Sequence, residues 1–291
     1  MNIKKNNGKE PKYTRPSVML AVSDLENAKN LATAAYNICS TFRVGVHIIH
    51  VCVDSDSPDS SSTEDACLST AELSLKSLPV IESTVLHSDN ISKAIIGAVR
   101  EHETQLLIVG WHGNRTNPKL KYGATIDPLL EQSPCDIVAF KKYEEKEYSN
   151  ILIPLAGGPN SGLALEIGSI LAGKKEGKIT LLTVNRLITS GKKKAIPDLN
   201  LQSFLEKHIK RLHIPENRVS IRSIATRREI PEIITSEAAG HDMVVMGSSY
   251  SSLLNWSSPG GIPETVAHSL DIPVGIVKAE QSLRSLVKKL F

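Results

Sequence analysis

Aromatic residues are scarce in this chain, at 4% of 291 positions. Few rings are left for stacking on bases, and a net charge of +3 is too small to grip a phosphate backbone. Nucleic acid is thereby excluded as a main partner. Cysteine is equally sparse. Cys39, Cys52, Cys67 and Cys135 show no C-x-x-C pairing, and three of them lie in or beside apolar runs. They read as reduced thiols of a cytosolic protein. No run approaches the roughly 18 apolar residues of a membrane span, so direct membrane insertion is not expected. The polar start MNIKKNNGKEPKYTR lacks the apolar centre of a signal peptide. None of the nine histidines sits at a metal-like spacing, and no nucleophile elbow is present. Neither a metal site nor an enzyme is expected.

What the chain does have is a repeat. The run from Pro16 (PSVMLAVSDLENAKNL) aligns with that from Asn150 (NILIPLAGGPNSGLAL). The runs from Val44 (VGVHIIHVCV), Gln105 (QLLIVG) and Cys135 (CDIVAFKK) align with those from Gly177 (GKITLLTV), Asp242 (DMVVMG) and Ile272 (IPVGIVKA). The strands are short, continuous, Val- and Ile-rich runs, as expected where both faces of a parallel sheet are covered. Between them lie helical stripes such as Leu31, Ala34, Ala35 and Ile38, matched by Leu163, Ile167, Ile170 and Leu171. Alternating strand and helix predicts an α/β fold: two tandem doubly wound units, each with a five-stranded parallel sheet.

The expected boundaries are a basic N-terminal arm over 1–15, a first unit over 16–142 and a charged linker over 143–149. A second unit follows over 150–279. A C-terminal amphipathic helix over 280–291 carries Leu283, Leu286, Val287, Leu290 and Phe291 on one side. The acidic, Ser-rich stretch Asp54–Asp65 (DSDSPDSSSTED) is expected to be a mobile loop. The Gly-rich turn Ala156–Gly162 either holds an anion or is a tight turn capped by Asn160 or Ser161. The two fifth strands, Asp136 onward and Ile272 onward, are apolar enough to pair with each other as a pseudo-dimer within the chain.

Three glycines stand just after the fourth strand, at Gly110, Gly113 and Gly123. Glycines there let backbone N–H groups approach phosphate oxygens, and the helix that follows adds partial positive charge. The spacing Gly-x2-Gly-x9-Gly resembles the nucleotide loop of the universal stress protein family, written G-x2-G-x9-G-[S/T]. In the second unit the register leads from Gly247 to Tyr250 and on to Gly260 and Gly261. Set against the family's ATP-binding pattern, Ala124 and Gly261 stand where a hydroxyl residue follows the last glycine. Ser23 and Ala156 stand where an Asp ends the first strand, with Asp24 one residue away. Thr125 stands one residue beyond the missing hydroxyl. The candidate nucleotide residues are therefore Gly110, Gly113, Gly123 and Thr125, in a loop that either binds ATP or keeps only its turn.

The string VGWHG…YGATIDPLLEQSPCDIVAF, with Trp111, Asp127 and Cys135-Asp136, resembles the divergent stress-protein-like domains of amino-acid, polyamine and organocation superfamily permeases. Among these it is most similar to the cytosolic domain of prokaryotic cation-chloride cotransporters. That resemblance implies a non-catalytic regulatory and dimerisation domain without a cofactor. Its partners would be a second copy and the transmembrane transport domain of the same polypeptide. It would be cytoplasmic, tethered to the inner face of the plasma membrane through a transmembrane domain N-terminal to residue 1. The alternative is a free-standing tandem stress protein that binds ATP or another adenine nucleotide in its first unit.

Overall fold

The structure is a computed structural model. It describes residues 17–40, 42, 44–53, 60–112, 120–156, 159–173, 177–187, 208, 214–249 and 261–280. The basic arm and the C-terminal amphipathic stretch, from residue 281 on, lie outside these residues, as does Gly113.

The first unit runs β1 (Ser17–Val22), α1 (Leu25–Cys39), β2 (Gly45–Cys52), α2 (Ser60–Ser74), β3 (Val80–His87), α3 (Ile91–Glu101), β4 (Leu106–Trp111), α4 (Ile126–Gln132) and β5 (Asp136–Lys141). The second runs β6 (Asn150–Pro154), α5 (Pro159–Leu171), β7 (Lys178–Arg186), a short 3-10 turn (Glu216–Arg218), β8 (Val219–Thr226), α6 (Ile230–Ala238), β9 (Met243–Gly247), α7 (Ile262–Ser269) and β10 (Val274–Lys278). Of the helix expected between β7 and β8, His208 is among the described residues and is helical. Local chemistry sets the helix starts. Asp24 accepts a 2.9 Å hydrogen bond from the Asn27 N–H to cap α1, and Asn90 does the same with Lys93 for α3. Along α1, Ala28, Leu31, Ala32, Ala35 and Ile38 form the buried stripe.

The stretch Asp54–Asp65 departs from expectation. Its second half is not loop: α2 begins at Ser60, and Glu64 is buried in line with Cys67, Leu68, Ala71 and Leu75. The stripe opens on a carboxylate, so composition alone hid the helix.

All ten strands join one sheet in the order β3-β2-β1-β4-β5-β10-β9-β6-β7-β8. Pairing is parallel within each unit and antiparallel where β5 meets β10, with Ala139 opposite Ile276. The two units are thus related by a pseudo-two-fold through that pair. Two apolar layers cover the sheet, and each contains residues of both units: Val18 with Ile151 on one face, Met19 with Val244 on the other. The junction is therefore core.

Side chains lock the junction reciprocally. Lys141, at the end of β5, donates to the carbonyls of Ala267 and Leu270 at the C-terminus of α7, at 2.7 and 2.9 Å. Lys278, at the end of β10, donates to the Ser133 carbonyl at the C-terminus of α4, at 2.7 Å. Each lysine places its charge at the negative end of a helix in the other unit. Burial, reinforced by Lys142, lowers the Lys141 pKa. The linker is charged but not solvent-borne throughout: Tyr143 and Tyr148 are buried, and the rings of Phe140, Tyr143 and Tyr148 follow one another at 4.8 and 5.3 Å. Asn37 of α1 donates to the Tyr143 hydroxyl at 3.2 Å.

Burial pushes the thiols of Cys39 and Cys135 up from 9.0 to about 12, and the Tyr143 phenol from 10.0 to about 12. Below the ordinary values both folded and unfolded chains hold these protons, so the stabilisation is complete. Above them the unfolded chain loses protons first, and stability drains as the pH rises towards about 12. Thermal denaturation across that range should show the midpoint falling from about pH 9 upward, with Tyr143→Phe flattening the slope above about pH 10. A flat profile would contradict the burial of these groups.

Candidate functional site

In an open parallel sheet the ligand crevice lies at the carboxyl ends of the strands, where chain order reverses. Here β1 lies between β2 and β4, and the ends of these strands frame a cleft of about 770 Å3. That is ample for a nucleotide-sized ligand. Val22, Val109, Ile91, Ile95 and Ile126 make its apolar walls, while His50, His87, His112, Cys52, Glu64 and Thr125 supply polar groups. Gly110, Gly123 and Thr125 all line it, so three of the four candidate residues come together.

The histidine and cysteine on β2 are already engaged. His50 Nδ1 stands 3.1 Å from the Val22 carbonyl, an acceptor only, so Nδ1 carries a proton and donates it there. The Cys52 thiol donates to Glu64 Oε1 on α2 at 3.0 Å. Asp24, two residues beyond the end of β1, does not stand in for the family's aspartate. It does not line the cleft but faces a neighbouring groove of about 470 Å3. Its carboxylate caps α1 and also accepts from the Ser23 hydroxyl at 2.8 Å. Burial alone would raise its pKa, but the Asn27 N–H, the Ser23 hydroxyl and the nearby His112 together hold it below the ordinary value.

The glycines answer to the backbone. At Gly110 a Cβ would stand 2.1 Å from Asn27 Nδ2, so a side chain there would displace the Asn27 amide, which accepts from the Ser23 N–H. Gly123 has φ +122° and open space around its Cα, so its need is conformational. Thr125 opens α4 without a side-chain cap bond, and Ala124 beside it offers no hydroxyl.

Asp127 reaches back from the first turn of α4 to the loop before it. Its Oδ2 accepts from the Lys121 N–H at 2.6 Å and its Oδ1 from the Tyr122 N–H at 2.8 Å. These are the amides just ahead of Gly123, and a carboxylate of the chain itself occupies them. The matching position in the second unit holds another carboxylate, Glu264, with 2% exposure. Its Oε2 lies 2.2 Å from where a Cβ on Gly261 would stand, and it accepts from the Ser249 hydroxyl. In both units, then, an internal carboxylate sits in the first turn of the helix after the loop.

The first-unit loop is also braced by the second unit. Lys121 Nζ donates to Ser249 Oγ at 3.2 Å and lies 3.8 Å from Glu264. His268 Nε2 donates to the Lys121 carbonyl at 2.9 Å, and its ring stands edge-on to Trp111 at 5.1 Å. Asn160 plays Asn27's part in the second unit, packing against Gly247 while bonding the Ser248 carbonyl and the Ala279 N–H. In the turn after β6, the Ser161 hydroxyl accepts from the Ala156 N–H at 3.3 Å. Sequence reasoning passed over Asn27, Lys121, Glu264 and His268. The equal offset of Asp127 and Glu264 from their units' strands was the available signal for the carboxylate pair.

The model of the universal stress protein family matches residues 15–141 and 147–278. Among solved structures, a universal stress protein from Archaeoglobus fulgidus superposes with a TM-score of 0.61 at 16% identity, over 90% of this chain and 97% of that one. A putative universal stress protein from Pseudomonas aeruginosa gives 0.59 at 16%, over 92% and 94%. The cytoplasmic domain of a prokaryotic cation chloride cotransporter gives 0.60 at 12%, over 94% and 99%. At these identities the likeness shows the fold. No curated protein matches the sequence.

If the glycines serve the backbone, their loss is felt without any ligand. Gly123→Ala and Gly110→Ala are each expected to lower unfolding stability by about 1–3 kcal/mol in nucleotide-free buffer, read by chemical denaturation. Unchanged midpoints would return the glycines to a ligand role.

Proposed function

The chain belongs to the universal stress protein family, and from that premise we propose that it is a non-catalytic regulatory and dimerisation domain of a membrane transporter. The transporter class is that of the cation-chloride cotransporters or related permeases. Asp127 carries the reading: the amides of Lys121 and Tyr122, just ahead of Gly123, already hold a carboxylate of the chain itself and are not open to a phosphate. The hydroxyl and the anchoring aspartate of the ATP-binding pattern are missing as well, replaced by Ala124 and Ser23 in one unit and by Gly261 and Ala156 in the other. The fold shared with a cotransporter's cytoplasmic domain over nearly its whole length supports the same reading. Among the described residues no helix is long and apolar enough to cross a membrane, so the transport domain would be a separate part of the polypeptide. The domain would act as one rigid body, binding a second copy and cytosolic loops of the transporter with different affinity in its different states.

A second reading rests on the cleft itself, whose volume and glycine-lined rim suit an adenine nucleotide. The two separate cleanly. Calorimetry with ATP and magnesium is expected to give no heat of binding for the wild-type chain. Tight binding that Gly113→Val abolishes would establish the nucleotide reading instead. Sedimentation across a range of concentrations is expected to show reversible self-association, and a strictly monomeric chain would remove the dimerisation role. Membrane spans in frame upstream of residue 1 in the gene are the expected genomic context.

A further inference from the structure

At the opposite end of the strands from the cleft, three side chains from three elements converge. His47 comes from β2, Glu82 from β3 and His102 from the C-cap position just after α3. One ligand atom from each lies within 4.8 Å of the other two. The imidazoles of His47 and His102 face each other, with centroids 4.3 Å apart and planes tilted by 37°.

Each member is placed by a specific local device. Along β2, Val46 and Ile48 face the α1–α2 layer, so His47 and Ile49 face the α3–α4 layer. Glu82 would face away from His47 in regular register. A bulge prevents that: Val46 pairs with Val80 but His47 with Glu82, and the extra residue Ile81 lays its side chain over Gly45. One inserted residue turns every later side chain to the other face, and Glu82 joins His47. His102 is held by the turn that follows it. Glu103 adopts φ +47°, the Thr104 N–H returns to the Val99 carbonyl at 3.0 Å, and the Ser17 hydroxyl donates to the His102 carbonyl at 3.2 Å.

The arrangement leaves one polar atom unserved. His47 is 8% exposed, and its Nδ1 has no hydrogen-bond partner among the described residues. A buried imidazole nitrogen without a partner is costly, and a metal ion satisfies it as well as a proton donor does. Burial, and then the neighbouring His102, lower the His47 pKa, while Glu82 opposes them.

We propose that His47, Glu82 and His102 form a binding site for a divalent first-row transition metal, with zinc as its natural occupant. Two imidazoles and a carboxylate suit zinc, and a water completes four-coordination. Ligands at about 2.0–2.2 Å from zinc lie about 3.3 Å apart, so the set must draw inward by up to about 1.5 Å. His47 is fixed, but Glu82 is exposed and His102 half-buried, so rotation of these two side chains closes the gap. Bound metal would tie the edge pair β2–β3 to the end of α3. The site shares no residue with the cleft and does not depend on the reading proposed for it.

The test is calorimetric titration of the full chain with zinc, paired with cobalt absorption spectra. One zinc per chain is expected, with a rise in melting temperature. His102→Ala and Glu82→Gln should each weaken binding at least about tenfold and abolish the thermal shift, while His241→Ala should leave both unchanged. The cobalt complex should show ligand-field bands without sulfur-to-metal charge transfer. Glu82 is exposed and His102 only half-buried, so their variants remain informative even where a His47 variant fails to fold. Absence of zinc binding, binding retained in both variants, or a thiolate charge-transfer band would each overturn the proposal.

Discussion

The antiparallel pairing of β5 with β10 is the contact on which the rest of this molecule depends. Main-chain hydrogen bonds across it turn two five-stranded sheets into one of ten strands. The same register brings the strand-end lysines over the other unit's helix termini: Lys141 to α7 and Lys278 to α4. It also brings Ser249, Glu264 and His268 against the first unit's glycine loop. Without that pairing, Lys141 would face no helix terminus and the Lys121 carbonyl would lose its imidazole donor.

Duplication has not kept the two loops equivalent. In the first unit the carboxylate is the short Asp127, which reaches back to the amides of its own loop. In the second it is the longer Glu264, which meets Ser249 and turns toward a lysine of the other unit. One methylene separates a carboxylate that closes its own turn from one that joins the neighbouring unit.

Much of this fold was legible in the sequence, because strands covered on both faces must be continuous apolar runs and helices must show a stripe. The fifth strands announced their pairing by the same logic, being apolar where an open edge would need charge. One stretch misled. Ser60–Asp65 reads as solvated because its residues are polar, yet it is the first turns of α2. The linker is charged as read, and Tyr143 and Tyr148 within it are core. The candidate site was half legible. Spacing pointed to Gly110 and Gly123, but not to why they are glycine: Asn27 lies 83 positions before Gly110 and meets it only through packing. The histidine cluster was invisible, since a single bulged residue decides which face Glu82 occupies.

The strand junction also fixes stoichiometry. Residues 142–149 tether the two halves, so the partner strand is always present at high local concentration and dilution cannot separate the pair. The edges of β5 and β10 are consumed inside each molecule and unavailable to any other. Any docking of a second copy would therefore use other surfaces, which among the described residues are the outer strands β3 and β8 and the helical faces. The resulting assembly would hold four structural repeats rather than two.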